Sequence, residues 1–198
     1  MSEPPAIAIL EFDSIAVGTL VADAMLKKAP LDTFRAGTVH RGKYMVLIGG
    51  AMAAVDESYV EGLRIGAEAL TDEVLLPDVH AQVYDAVGGK RQPADGDALG
   101  VIEVTGLAST VGVADRAVKA ARVDIVEIRL GDGLGGRGLT HLTGTVHDVQ
   151  AAVAAGLAGV TRSGLTARHT IIPVVDEELR KTLNHSTRFR DAPRNPSL

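Results

Sequence analysis

Ala6-Ile7-Ala8-Ile9-Leu10-Glu11 begins a segment that occurs twice in this chain of 198 residues, the second time as Ala98-Leu99-Gly100-Val101-Ile102-Glu103. Between 6–31 and 98–123, 8 of the 26 aligned positions are identical, and most of the others stay apolar. After a two-residue insertion in the second copy, three further identities follow: Gly50 with Gly144, Val55 with Val149, and Gly62 with Gly156. The chain is therefore predicted to be a tandem repeat.

Both copies have the same predicted order of secondary structure: strand, helix, strand, strand, helix, strand, then a short helix. The apolar run 6–10 is too short for a helix, whereas apolar residues on one face predict a helix over 17–28. This order predicts an α+β fold of two tandem ferredoxin-like (split βαβ) domains, each with one antiparallel sheet and helices on one face. The predicted domains are 5–88 and 98–185, with a linker at 89–97 and a mobile tail at 186–198.

Composition narrows the class of protein. Hydrophobic residues make up 46% of the chain, enough for packed cores, and the formal net charge is −5. This charge argues against a general nucleic-acid binder. The chain has no cysteine, which rules out disulfides and thiolate ligands. No N-terminal basic segment and no apolar run of membrane-spanning length is found, so we expect a cytoplasmic protein without membrane contact.

The repeats resemble the bacterial microcompartment (BMC) shell domain. The resemblance rests on the opening strands, on VADAMLKKA at 21–29 and VADRAVKAA at 113–121, and on the loop, strand, glycine and helix at 41–55. It covers about 6–185 and is most similar to tandem, trimeric shell proteins of the propanediol-utilization type. The resemblance implies a structural protein rather than an enzyme: three chains form a flat pseudohexamer with a metabolite pore, in a cytoplasmic microcompartment shell beside hexameric and pentameric shell proteins. Two pseudo-equivalent halves per chain suit such threefold closure.

The resemblance also assigns residues to the edge of the tile. Lys27 and Lys119 fall where the family has its edge lysine, and His80 lies in the family's other edge segment. That segment often carries an arginine, which neither copy has here. The alternative is that both lysines are solvated side chains that favour the negative end of a helix dipole.

The family's pore is lined by the loop between the second and third strands of each domain. Here those loops contain Val39, His40, Arg41 and Gly42 in the first copy and Gly133, Leu134, Gly135 and Gly136 in the second. Gly133 to Gly138 also spells G-x-G-x-x-G, but a strand is predicted after it instead of the helix that a dinucleotide site requires. The glycines indicate either a pore rim or flexible gate, or a tight turn with positive φ. Asp132, Arg41, Lys43 and Arg137 lie beside the loops as candidates for solute selection.

His40 is the clearest departure from the family pattern. The propanediol-type tandem protein has a cysteine at this position, and three such thiolates hold an iron–sulfur cluster. Without cysteine no such cluster is expected. Three His40 imidazoles on the threefold axis would instead suit Zn²⁺ or another divalent ion, and apart from such an ion no cofactor is expected. The alternative is a polar, pH-sensitive pore.

A different class of function also fits the predicted fold. Ferredoxin-like trimers serve as small-molecule-binding regulators, and the glycine loop is a candidate ligand site for such a role. No Ser/His/Asp set or paired carboxylates point to a catalytic centre. Sheet-like assembly would distinguish a shell tile from a discrete regulator.

Overall fold

Two four-stranded antiparallel sheets, one in each repeat, form the frame of the protein. The computed structural model describes residues 5–131, 133–160 and 164–191. The first domain consists of β1 (Ala6–Phe12), α1 (Ile15–Lys28), β2 (Thr33–Val39), β3 (Lys43–Gly50), α2 (Met52–Gly66), β4 (Leu70–Leu76) and α3 (Ala81–Val87). The second consists of β5 (Ala98–Val104), α4 (Leu107–Ala120), β6 (Val123–Leu130), β7 (Gly138–Gly144), α5 (Val146–Leu157), β8 (Ala167–Ile172) and α6 (Glu177–His185), followed by a 3₁₀ turn at Phe189–Asp191.

The strand order is the same in both sheets, β2-β3-β1-β4 and β6-β7-β5-β8. All strand pairs are antiparallel, so the predicted α+β fold of two split βαβ domains is confirmed. Because side chains alternate along a strand, Ala8 and Leu10 of β1 pack with α1 and α2, whereas Ile7 and Ile9 face the other side. Each sheet therefore presents one face to its two long helices and a second, partly apolar face.

The second face of the first sheet is covered, which differs from the predicted arrangement with helices on one face. The short helix α3 packs there, and α4 of the second domain packs against β4 and β1. One apolar cluster consequently spans both domains and includes Ile9, Val83 and Val111. Asp72 on β4 is 1% exposed, a polar side chain buried where α4 covers the strand.

The linker and the first part of the tail pack against the second sheet. Asn184 Oδ1 accepts the Ala94 N–H at 2.7 Å, and the Thr187 hydroxyl donates to Glu127 at 2.5 Å. Residues 192–198 of the predicted mobile tail lie outside the described residues. No helix in the described ranges is long and apolar enough to cross a membrane.

Candidate functional site

The loop between β2 and β3 is a three-residue turn. Val39 pairs with Lys43 across the hairpin, which leaves His40, Arg41 and Gly42 in the loop. Both Arg41 (φ 71°) and Gly42 (φ 72°) have left-handed backbone conformations. All three loop residues are exposed. A non-glycine residue at positive φ is uncommon, so the turn holds Arg41 in a sparsely populated conformation.

The corresponding loop of the second domain, 131–137, has seven residues and is four residues longer. The Gly131 N–H donates to the Arg137 carbonyl at 3.1 Å and closes the loop, which joins β6 to β7 as predicted. Gly133, Gly135 and Gly136 all have φ between 62° and 80°, so the backbone itself requires residues without a Cβ. Asp132 lies outside the described residues. The absence of a helix after the loop removes the dinucleotide-site interpretation of the described segment.

The two loops lie side by side at one corner of the molecule. A Cβ added at Gly131 would lie 3.3 Å from the Cβ of Val39, and one added at Gly136 would lie 3.2 Å from Cδ of Arg41. One chain therefore brings both sets of predicted pore residues together. Gly133 and Gly135 are exposed, Leu134 is half-buried, and Gly136 is buried under Arg41.

His40 is an exposed loop residue in a single chain. Among the described residues, no group of three His, Asp or Glu side chains has the geometry of a metal site. The chain has no cysteine, so its residues do not fit a thiolate-bound cluster. Each chain offers one His40 imidazole, and a site with three such ligands requires three chains.

The predicted edge residues have different environments in the two domains. Lys27 is exposed and pairs with Asp23 at 2.6 Å. Lys119 instead pairs with Asp115 at 2.8 Å and donates to the main-chain oxygen of Asp78. The His80 N–H donates to the same Asp115 carboxylate at 2.8 Å. The Lys119 ammonium, on an exposed residue, and the main-chain N–H of His80 thus bond across the junction between the domains of one chain.

The N-terminus of α4 carries a set of hydrogen bonds that was not predicted from the sequence. The Leu107 N–H donates to Glu11 Oε2 at 2.7 Å, and the Ser109 N–H and hydroxyl donate to Asp72, each at 2.7 Å. Both carboxylates belong to the first domain, and Lys43 forms an ion pair with Glu11. The first domain therefore caps a helix of the second. The available signal in the sequence was Glu11, a charged residue at the end of an apolar strand that recurs as Glu103 in the second repeat.

Two buried titratable groups have shifted pKa values. Burial raises the pKa of Glu11, although the hydrogen bonds from Lys43 and the Leu107 N–H act in the opposite direction. Burial lowers the pKa of His141 to about 4, with Glu127 opposing the shift. Nδ1 of His141 is buried without a hydrogen-bond partner.

Comparison with known proteins decides the family. The BMC domain model matches residues 6–79 and again residues 98–175. The chain belongs to the BMC-domain family. This BMC protein is 34% identical over 174 residues to the bacterial microcompartment shell protein PduT of Citrobacter freundii, covering 88% of this chain and 95% of that protein.

Solved structures agree with the tandem BMC assignment. A microcompartment protein from Desulfitobacterium hafniense DCB is 40% identical with a TM-score of 0.78, over 90% of this chain and 99% of that one. A fused permuted hexameric shell protein from the RMM microcompartment is 24% identical with a TM-score of 0.58, over 78% and 83% of the two chains, and supports the fold alone. The predicted family is confirmed, and this BMC protein is a structural component of a bacterial microcompartment shell.

Proposed function

We propose that three copies of this chain close a flat ring of six domains, a pseudohexameric shell tile with a central pore for small metabolites. One observation carries the proposal: α4 of the second repeat is buried, whereas the corresponding helix of the first repeat, α1, has an exposed apolar side. α4 packs between the two domains of one chain. The corresponding side of α1 is uncovered within the chain, which supports a contact with a neighbouring copy.

Matched residues on the two helices show the difference. Leu107 is 0% exposed, whereas Ile15, at the same position of α1, is 43% exposed. Val118 is 7% exposed, whereas its counterpart Leu26 is 47% exposed. Fully burying a side chain of this size contributes roughly 1.5–3 kcal/mol. An exposed apolar surface that matches a buried one in the same chain fits a contact with a second copy.

The second sheet has the complementary uncovered surface. Asp72 on β4 pairs with Glu11 on β1 and is 1% exposed because α4 covers it. Arg168 on β8 pairs with Glu103 on β5 in the same register, yet it is exposed. The face of the second sheet is thus open where the first sheet holds α4. We propose that α1 of the neighbouring copy packs there.

The chemistry of this open surface also suits α1. Within the chain, a Cβ at Gly106 would lie 2.2 Å from Asp72 Oδ2, so glycine leaves the space for Asp72 to cap α4. In α1 the matching residue is Ser14, whose own hydroxyl accepts the Val17 N–H at 3.3 Å. Arg168 replaces the acidic cap, and we expect it to pair with Asp13 of the neighbouring copy.

These contacts are head-to-tail, from the first domain of one chain to the second domain of the next. A head-to-tail contact produces a closed ring when its rotation closes and a filament when it does not. A ring of three chains has six boundaries between domains. The junction within a chain would form every second boundary, and the contact between chains would form the others. The two loops of each chain would then face the threefold axis. Three copies of the His40 loop would alternate with three copies of the glycine loop around it.

Disruption of α1 tests the ring. Ile15→Asp combined with Leu26→Asp places two charges on the proposed contact, and we expect a monomer by light scattering instead of three times the chain mass of 20.6 kDa. Val60→Asp on α2 is the matched control, since Val60 is 55% exposed and the corresponding Ala154 is also exposed. A trimer in the double variant, or a monomer in the control, contradicts the proposal.

The tile edge is tested separately. We propose that Lys27 contacts hexameric and pentameric shell proteins at the tile edge, and that Lys27→Glu abolishes sheets in electron micrographs while trimers persist. Lys28→Glu is the control, since Lys28 is adjacent and exposed. A wild-type protein that forms only discrete trimers with saturable ligand binding would favour the regulator instead. A structural role without catalysis follows from the tile proposal, and turnover of a metabolite by the purified protein would contradict it.

The pore has its own test. Three His40 side chains on the axis would form a tri-imidazole site for a divalent ion. Metal analysis of untagged protein is expected to find one ion per three chains, and none in His40→Ala. Equal metal content in both proteins would show that His40 acts only as a polar residue of the pore.

A further inference from the structure

A cavity of about 540 Å³ lies between the two domains. Strands β2 and β3 of the first domain and β6 of the second form its main walls, and the linker and the tail complete it. This volume lies within the range of sites that hold small metabolites. The cavity is separate from the α1 surface and from the edge residues described above.

The cavity is strongly cationic, although the chain as a whole has a net charge of −5. Among the described residues, one carboxylate, that of Glu127, lines it together with five basic side chains: Arg35, Lys90, Arg91, Arg129 and Arg188. Lys90 also pairs with Asp85 at 2.7 Å. The single Glu127 carboxylate serves both Arg91, at 3.6 Å, and the Thr187 hydroxyl. Of the five, Arg35 and Arg188 form no ion pair with a described residue, so their charges are available to an anionic ligand.

Arg91 is held in place by two main-chain carbonyls and by the Glu127 carboxylate. Its terminal nitrogens donate to the main-chain oxygens of His185, at 3.1 Å, and Leu183. Its Nε is buried and has no hydrogen-bond partner among the described residues, with Glu127 Oε1 3.6 Å away. The carbonyl oxygens fix the orientation of the guanidinium and Glu127 offsets its charge, so Arg91 orders the cavity wall and leaves the binding of an anion to Arg35 and Arg188.

Arg35 and Arg188 approach the cavity from opposite domains. Arg35 donates one of its N–H groups to the Val87 carbonyl at 3.0 Å, and guanidinium has five such donors. Both side chains belong to exposed residues. Met45 and Leu47 supply an apolar wall beside them. A ligand that satisfies this lining carries a compact anionic group and a small apolar part.

We propose that this cavity binds a small phosphate ester. Its phosphate would lie between Arg35 and Arg188, since the planar guanidinium binds phosphate oxygens in pairs. Its organic part would lie against Met45 and Leu47. Val39 lines the cavity and also ends β2 at the pore loop, so the bound ester would lie next to that loop.

Calorimetric titration of the untagged protein at pH 7.5 and low salt tests the site. The probes are glycerol 3-phosphate, inorganic phosphate and glycerol. We expect one ester per chain, weaker binding of inorganic phosphate, and no heat from glycerol. Arg35→Gln combined with Arg188→Gln is expected to weaken ester binding at least tenfold. Arg64→Gln is the control, because Arg64 lies on α2 and pairs with Glu61.

Three results would overturn the proposal: no saturable heat, equal affinity for inorganic phosphate and the ester, or equal ester affinity in the double variant and the wild type. The oligomer mass is measured on the same samples. Ester binding by a protein that is not a trimer would contradict the tile and leave the cavity assignment intact. A trimer that does not bind the ester would contradict the cavity assignment and leave the tile intact. Thermal unfolding of the double variant verifies that it is folded before titration.

Discussion

His141 should make the stability of this protein depend on pH. It lies on β7, with Val101 of β5 and Glu127 of β6 as its neighbours on the two adjacent strands. The equivalent residue of the first domain is Leu47 on β3. Its pKa falls from 6.5 to about 4 because it is buried. Below pH 6.5 the unfolded chain binds a proton that the folded chain does not, so the folded state loses stability as the pH falls. With about 1.4 kcal/mol per pKa unit, the loss reaches about 3 kcal/mol near pH 4.

The variant His141→Leu removes this dependence. Leucine is the residue that the first domain uses at this position, and it also removes a buried Nδ1 without a partner. Urea unfolding at pH 7, 6, 5 and 4, at one protein concentration, gives the free energy of unfolding of both proteins. The variant minus wild-type difference should grow by about 3 kcal/mol as the pH falls from 7 to 4. Taking the difference cancels the titration of the other groups.

The charged groups around His141 also influence its pKa. Glu127 raises its pKa, whereas Arg91 and Arg129 lower it. The exposed His147 on α5 is the control, and His147→Gln should keep the wild-type pH profile. A pH-independent difference between His141→Leu and the wild type would refute the reasoning, because it would mean that His141 titrates normally in the folded state.

Further predictions concern the junction and the glycine loop. Glu11→Ala should lower the free energy of unfolding by about 3 kcal/mol, since it leaves the Lys43 ammonium and the Leu107 N–H without their buried acceptor. Glu103→Ala, at the matched but more exposed position, should change it by less than about 1 kcal/mol in the isolated chain. Gly135→Ala meets no atom within 4 Å, yet φ of 62° should cost about 1 kcal/mol. Urea unfolding measures all three, and similar losses for the two glutamates would contradict the assigned junction.

Sequence alone predicted the repeat, the order of strands and helices, and the location of both loops. These features depend on local periodicity and on identities such as Glu11 with Glu103, which a single sequence contains. The start of α1 was displaced from the predicted residue 17: α1 begins at Ile15, since Ser14 caps it.

The junction between the domains was not predictable in the same way. Lys27 and Lys119 are the same residue at the same repeat position, yet only Lys119 contacts the Asp78 carbonyl. Its environment depends on what packs against the helix, which is a tertiary property. The cationic cavity likewise combines residues far apart in the chain, such as Arg35 and Arg188.

The ring itself is tested most directly by disulfide crosslinking, because the chain has no cysteine of its own. A Cβ at Gly106 would lie 2.7 Å from Cγ of Asp72, which suits a disulfide between these positions. Gly106→Cys with Asp72→Cys should therefore crosslink within one chain and keep the monomer mass on a denaturing gel. Ser14→Cys with Arg168→Cys occupies the matched positions of the proposed contact between chains.

Oxidation of the second pair is predicted to produce a covalent species of three chains and nothing larger, because a closed ring has no free ends. A ladder that continues beyond three chains would show an open filament. A product that remains at the mass of one chain would show that α1 does not pack on the second sheet of a neighbouring copy. Either result would contradict the pseudohexameric ring.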